Sequence, residues 1–141
     1  MAKKKIHLRV ITPEERKVDE AVGGIVMRCS TGDLGVLPGH EARSAVLNYG
    51  ILRILDSGRE RRLAVYGGLA VIQNNVLTVL TPEAEWPEDV DLERAQAERE
   101  HLERRIREKT DAIELQNDQV LLRRALVQIE IGLSPAAEQE E

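Results

Sequence analysis

The hydrophobic period of this chain changes near Pro82, and that change limits the fold more than any other feature. Before it, Ile6, Leu8 and Val10 alternate with His7 and Arg9, the period-two signature of a half-buried strand. Val22–Cys29 reads as a second candidate, with Ile25 and Met27 on one face. Ile51, Arg53 and Leu55 share one face of a third segment and Leu52 and Ile54 the other, so that segment is expected to be covered on both sides. Ser57-Gly58 breaks the run and Arg62–Tyr66 resumes it, which predicts a hairpin with a charged tip. Gly67-Gly68 reads as a bend. Leu69–Ile72 and Val76–Leu80 flank Gln73-Asn74-Asn75, and asparagine tolerates the left-handed backbone of a tight turn. Short strands at near-regular spacing predict a small β-sandwich over the first 82 residues.

The segment PEAEWPEDV, residues 82–90, carries two prolines and four acids and reads as a linker, with Trp86 pinning it to one of the halves. Beyond it Leu92, Ala95, Leu102 and Ile106 recur at helical spacing, with Arg99 in the same seam. No Gly, Pro or Val occurs between Asp91 and Lys109, and strong helix formers dominate. Asp91 is a candidate N-cap. Lys109-Thr110-Asp111 reads as a break, after which Asp111 or Thr110 caps a second helix that ends at Gly132. Leu115, Leu122, Leu126 and Ile129 are expected to line its buried face, widened by Val120, Leu121 and Ala125. The fold class is therefore α+β: an all-β sandwich followed by an antiparallel two-helix hairpin. The expected division is a sandwich at 1–86, a helical hairpin at 87–133 and a disordered acidic tail at 134–141.

Composition removes several functions. Aromatic residues are 2% of the chain and Phe is absent, so the core rests on Val, Leu, Ile and Ala, and a base-stacking groove for single-stranded nucleic acid is not expected. A net charge of −5 does not draw phosphate backbones or anionic lipid. The single Cys29 forms no internal disulfide and suits a reducing compartment. No apolar run reaches the length of a membrane span, and the start MAKKKIHLRVI lacks a signal-peptide core. Any link to a membrane is expected to run through another protein, with the chain on the cytoplasmic side.

The stretch TGDLGVLPGH, residues 31–40, has the glycines of a phosphate loop but not its chemistry. Gly39 is followed by His40 and Glu41, not by the Lys and Ser/Thr that reach phosphate and magnesium. Asp33 and His40 could exchange a proton, yet no supported Ser or Cys nucleophile stands near them. His7, His40 and His101 fall in different elements without metal-ligand spacing, so no metal site is expected. Pro38-Gly39 instead predicts a type II turn on a fixed, exposed loop. In the helices Arg104, Arg105, Arg107, Arg123 and Arg124 interleave with glutamates, the pattern of a solvated surface or of cations aimed at an acidic partner.

Four stretches together carry a resemblance: TGDLGVLPGH (31–40), YGGLAVIQNNVLTVL (66–80), DLERAQAERE (91–100) and LLRRALVQI (121–129). They resemble the epsilon subunit of bacterial F-type ATP synthases, over about residues 5–132. Tyr66 stands where that family usually has Ser, and Val71-Ile72 where an acid and Val are common. The resemblance implies a ten-stranded sandwich at the foot of the gamma subunit and on the c-ring, a rotor part that couples rotation to ATP synthesis and catalyses nothing itself. It implies that Asp33 and His40 lie at the c-ring contact. It also implies a hairpin with two states, folded on the sandwich or extended into the alpha/beta head, where it inhibits ATP hydrolysis. Arg123 and Arg124, then Arg104 and Arg105, are the candidates to face an acidic loop there.

In some members ATP holds the folded form through a motif that Val90, Asp91, Arg94 and Ala95 resemble, with Arg124 matching the first of two helix arginines. Gln128 stands where the second is expected, and an amide cannot replace a bidentate guanidinium. The expectation is no required cofactor, with ATP as a weak regulatory ligand at most. The alternative reading is a stand-alone ATP sensor or an adaptor module with a coiled-coil arm. A prefoldin-like adaptor is disfavoured because helices appear only after the strands.

Overall fold

A computed structural model describes residues 4–108, 111–134 and 138–139. Nine strands form the sheet among these residues: β1 (Ile6–Ile11), β2 (Arg16–Val22), β3 (Gly24–Cys29), β4 (Gly32–Val36), β5 (Arg43–Asp56), β6 (Arg59–Gln73), β7 (Val76–Leu80), β8 (Ala84–Glu85) and β9 (Glu138–Gln139). Their order is β2-β1-β7-β6-β5-β3-β4, with β8 and β9 added to β6. All pairs are antiparallel except β1 with β7. The expectation of ten strands in the N-terminal sandwich is corrected to eight there, with β9 from the tail as the ninth strand of the sheet. The reason is that β5 and β6 stay continuous for 14 and 15 residues, so neither breaks into two. Residues 69–73 of β6 pair with β7, whereas 64–65 pair with β8.

The turns follow from the sequence. Ser57-Gly58 (φ 53° and 76°) and Asn74-Asn75 (φ 53° and 61°) are two-residue hairpin loops with left-handed backbone at both positions, as a type I′ turn requires. Gly67 and Gly68 also have positive φ but do not end the strand as a bend would. They let β6 pass beside Leu80, whose carbonyl oxygen leaves no room for a Cβ at Gly68.

Nineteen buried apolar residues from β1 to β8 form one core, among them Ile6, Leu8, Leu52, Leu63 and Leu77, with Trp86 packed against its edge. Arg61 lies over the Trp86 ring at 5.7 Å. The segment read as a linker is more ordered than its composition suggests: it contains β8 and a 3-10 turn at Pro87–Asp89. Two longer strands also escaped the sequence reading. β2 (RKVDEAV) is an edge strand that buries only Val18 and Val22, and β4 takes up residues 32–36 of the stretch read as a loop.

Helix α1 spans Leu92–Glu108 and α2 spans Ala112–Gly132. Both predicted caps form: Asp91 Oδ1 accepts from Arg94 N–H at 3.1 Å, and Asp111 accepts from the N–H groups of Ile113 and Glu114. The alternative cap Thr110 lies outside the described residues, as do 135–137 and 140–141 of the tail. Glu138–Gln139 runs alongside Arg59-Glu60 of β6.

The predicted apolar face of α2 needs correction. Leu121 and Leu126 are exposed, while Ala125, Val127, Ile129 and Ile131 are buried. The cause is that α2 has two partners. Val127 and Ile131 cluster with Ala64 and Tyr66 on the outer surface of β6, with Tyr49, Ile51 and Val90 packed around them. Asp118 faces α1, where Arg105 lies 3.3 Å from its carboxylate. Among the described residues no helix is long and apolar enough to cross a membrane.

Candidate functional site

The first candidate surface is the stretch 31–40. Its turn forms as predicted: His40 N–H donates to the Leu37 carbonyl at 3.1 Å, and Gly39 takes φ +80°. Gly39 N–H donates to Asn75 Oδ1 at 2.8 Å, and Asn75 Nδ2 donates to the Lys5 carbonyl at 2.8 Å. One asparagine therefore ties the turn to the neighbouring hairpin and to the entry of β1, a role beyond the left-handed backbone for which the sequence marked it. Leu37 is 65% exposed at the tip. His40 Nδ1 lies 2.8 Å from the carbonyl of Glu41. The structure does not bring Asp33 and His40 together. Asp33 sits on β4 opposite Arg28 and lines a cavity with Arg53, Arg62 and Glu130, under the end of α2.

The second candidate is a cavity of about 370 Å³ between α1, α2 and the end of the sandwich. Asp91, Arg94, Ala95, Arg124 and Gln128 all line it, so four of the five residues marked for a nucleotide meet there. Val90, the fifth, packs instead into the apolar cluster beneath α2. The remaining lining includes Glu85, Asp89 and Glu98. Four carboxylates thus face two guanidiniums, and Asp91 is already engaged as the cap of α1. That balance opposes a polyanion.

Arg124 is not free. Its Nε donates to Glu83 Oε2 at 3.0 Å and its Nη2 to Glu83 Oε1 at 2.5 Å, the fork geometry of a bidentate pair. Its guanidinium also lies 5.2 Å over the Tyr66 ring. The hydrogen bond to Glu83 raises the pKa of Arg124, although partial burial opposes it. One turn further on, Gln128 Nε2 donates to Glu85 Oε1 at 3.0 Å. The same oxygen accepts from the Tyr66 hydroxyl at 2.6 Å. Burial, then the hydrogen bond to Glu85, pushes the Tyr66 hydroxyl far above its ordinary pKa, so it remains a donor. Glu83, Glu85 and Tyr66 were not among the residues marked from the sequence. The acids were legible only as linker polarity, and Tyr66 only as a departure from a family pattern.

The other marked arginines differ from one another. Arg123 is exposed, with its guanidinium 6.0 Å over the Tyr49 ring. Arg104 is exposed and bonds back to the Glu100 carbonyl. Arg105 is engaged inside the hairpin by Asp118. Among the described residues no group of three His, Cys, Asp or Glu side chains could hold a metal ion. Cys29 is buried, and burial raises its thiol pKa.

Comparison with known proteins agrees with this architecture. The profile of a family described as the ATP synthase delta/epsilon chain β-sandwich domain matches residues 5–87. The ATP synthase epsilon chain of Caldicellulosiruptor saccharolyticus is 34% identical over 84% of this chain and 87% of its own length. That of Syntrophobacter fumaroxidans is 35% identical over 91% of this chain and 96% of its own. Among solved structures, a chain of the Euglena gracilis mitochondrial ATP synthase, captured as OSCP/F1/c-ring in rotational state 1, superposes with a TM-score of 0.81. It is 26% identical and covers 92% of this chain, which spans 82% of it.

Proposed function

This chain belongs to the ATP synthase delta/epsilon family, and from that premise we propose how its two parts divide the work of a rotor subunit. It is a non-catalytic subunit of the central stalk of a rotary ATP synthase. The sandwich is the fixed part. It joins the gamma subunit and the c-ring, and it follows the rotation that drives ATP synthesis in the alpha/beta head. The tied turn at Leu37–His40 offers a rigid, exposed tip for the ring, and His40 belongs to that contact. Asp33, exposed on β4 beside Arg28 and away from that tip, is a separate candidate contact with the ring. Association with the membrane is peripheral, through the complex and on its cytoplasmic face.

The hairpin is the regulatory part. One observation carries this reading: α2 rests on the outer surface of β6 through a cluster of four buried residues, separate from the sandwich core. An element docked on so little apolar surface can leave without unfolding what lies beneath it. In the extended form Arg123, Arg124 and Arg104 are cations available to an acidic surface of the head, and Arg105 joins them if Asp118 releases it. ATP in the cavity beside Asp91 and Arg94 is a weak ligand at most, because the carboxylates outnumber the guanidiniums.

The test is a chain shortened after Trp86 and assembled into the complete enzyme. The core cluster lies wholly within residues 6–84, so this part retains its own interior. ATP hydrolysis should rise while coupling persists; unchanged hydrolysis would remove the inhibitory role.

A further inference from the structure

We propose that Glu83 takes, within this chain, the place that a nucleotide phosphate would take against Arg124, so that the folded hairpin is held without a ligand. This rests on the two-state reading of the hairpin above and names what regulates it.

The carboxylate is built in rather than incidental. Glu83 belongs to the sandwich side of the contact, and its backbone is fixed there. Its carbonyl accepts from Tyr66 N–H at 3.2 Å and from the Thr81 hydroxyl at 3.0 Å. From this anchored position it meets both donor edges of Arg124. Glu83 and Glu85 are two residues apart in extended chain and therefore project to the same side. Arg124 and Gln128 are four apart on α2 and therefore face the same way. Two acids on the sandwich meet two donors on the helix, and the pairs are matched in spacing.

The chemistry of position 128 sharpens the point. A second arginine there would leave two guanidiniums with charge to spare for a phosphate. Gln128 brings a neutral donor, which suffices for Glu85 once Tyr66 supplies the other hydrogen bond. Tyr66 and Gln128 thus meet on one carboxylate oxygen. The local sum is one guanidinium and two carboxylates, since Glu85 also lies 3.9 Å from Arg124. An incoming phosphate would have to displace Glu83 while Glu85 stays beside it, and like charges at that range repel.

The experiment is hydrogen exchange on the purified full-length chain, with and without magnesium ATP at millimolar concentration. In the native sequence the α2 amides should be protected without nucleotide and gain nothing from it. In Glu83→Gln the opening of α2 should rise about tenfold with sandwich amides unchanged, the effect of losing a charge-assisted bidentate pair. ATP should then restore part of the protection, because Arg124 is released. The reversed pair, E83R with R124E, should return protection and, like the native chain, gain nothing from ATP. Native-level protection in Glu83→Gln would overturn the proposal. So would an equal gain from ATP in the native chain. Failure here leaves hydrolysis by the truncated complex untouched, so it is distinguishable from failure of the inhibitory role.

Discussion

The sandwich and the hairpin bury apolar surface in different ways. In the sandwich, strands from Ile6 to Ala84 share one interior in which Leu8, Val10, Ile54 and Leu77 have no exposed surface. Beneath the hairpin, among the described residues, Ala64, Tyr66, Val127 and Ile131 form a small buried cluster, ringed by ion pairs and hydrogen bonds. The first arrangement is all-or-none, because removing any strand exposes the rest. The second is severable, because each contact is local and its polar members can be solvated again on departure. A rotor part must not deform under torque, and the regulatory arm proposed above must be able to let go; keeping the two interfaces separate would serve both needs.

The sharpest way to break that contrast is a core truncation. Leu52→Ala should cost about 2–5 kcal/mol in urea denaturation and carry both halves down in one transition. A hairpin that melted separately at the native midpoint would show that it does not depend on the sandwich. Next in size is Ile131→Ala, which should cost about 2 kcal/mol of docking, at the low end for such a truncation because a surface helix can resettle. That loss should appear as faster exchange in α2, with the sandwich transition unmoved. Tyr66→Phe keeps the ring beneath Arg124 and removes one hydroxyl donor to Glu85, so its effect should be smaller, about 1 kcal/mol. Equal effects of Tyr66→Phe and Ile131→Ala would mean that the polar contacts, not the apolar ones, hold the arm.

The smallest effect concerns acid. Burial alone would raise the pKa of Glu60, but hydrogen bonds from Arg53 and Arg62 outweigh it and hold the carboxyl below its ordinary 4.5. A depressed folded pKa stabilises at pH above the ordinary value and loses that contribution as pH falls through the folded one. The thermal midpoint of Glu60→Gln should therefore fall less steeply than that of the native chain below pH 4.5, and the curves should converge in strong acid. Parallel curves would assign the acid sensitivity elsewhere. Asp19 offers a second contribution of the same sign, held down first by its hydrogen bond to His7 and then by Arg16.

What the sequence disclosed depended on whether a residue answered to one neighbour or to several. The turns at Ser57-Gly58, Asn74-Asn75 and Pro38-Gly39 and the caps at Asp91 and Asp111 are local, and all were legible. The edge strands β2 and β4 were not. An edge strand has one paired side and few buried residues, so charged Arg16–Val22 and glycine-rich Gly32–Val36 carry little hydrophobic signal. The face of α2 was misread because a single-period reading assumes a single partner, whereas this helix has two. Of the cavity between the hairpin and the sandwich, Asp91, Arg94, Ala95 and Arg124 were found by motif. Glu83 and Glu85 were missed because their meaning lies 41 and 43 residues away, on α2.

Residues 63–66 of β6 alternate between the two interfaces: Leu63 and Val65 belong to the sandwich interior, Ala64 and Tyr66 to the seat of α2. Along this strand each position answers to one tenant only, so substitutions at one interface can accumulate without disturbing the other. Insertions and deletions have no such freedom. Removing one residue just before Leu63, with the preceding pairing held, would turn Tyr66 inward and present Leu63 to the helix, spoiling both surfaces in one step. A lineage carrying this chain can therefore change residue type at one face of residues 63–66 without touching the other, yet remain locked in length there.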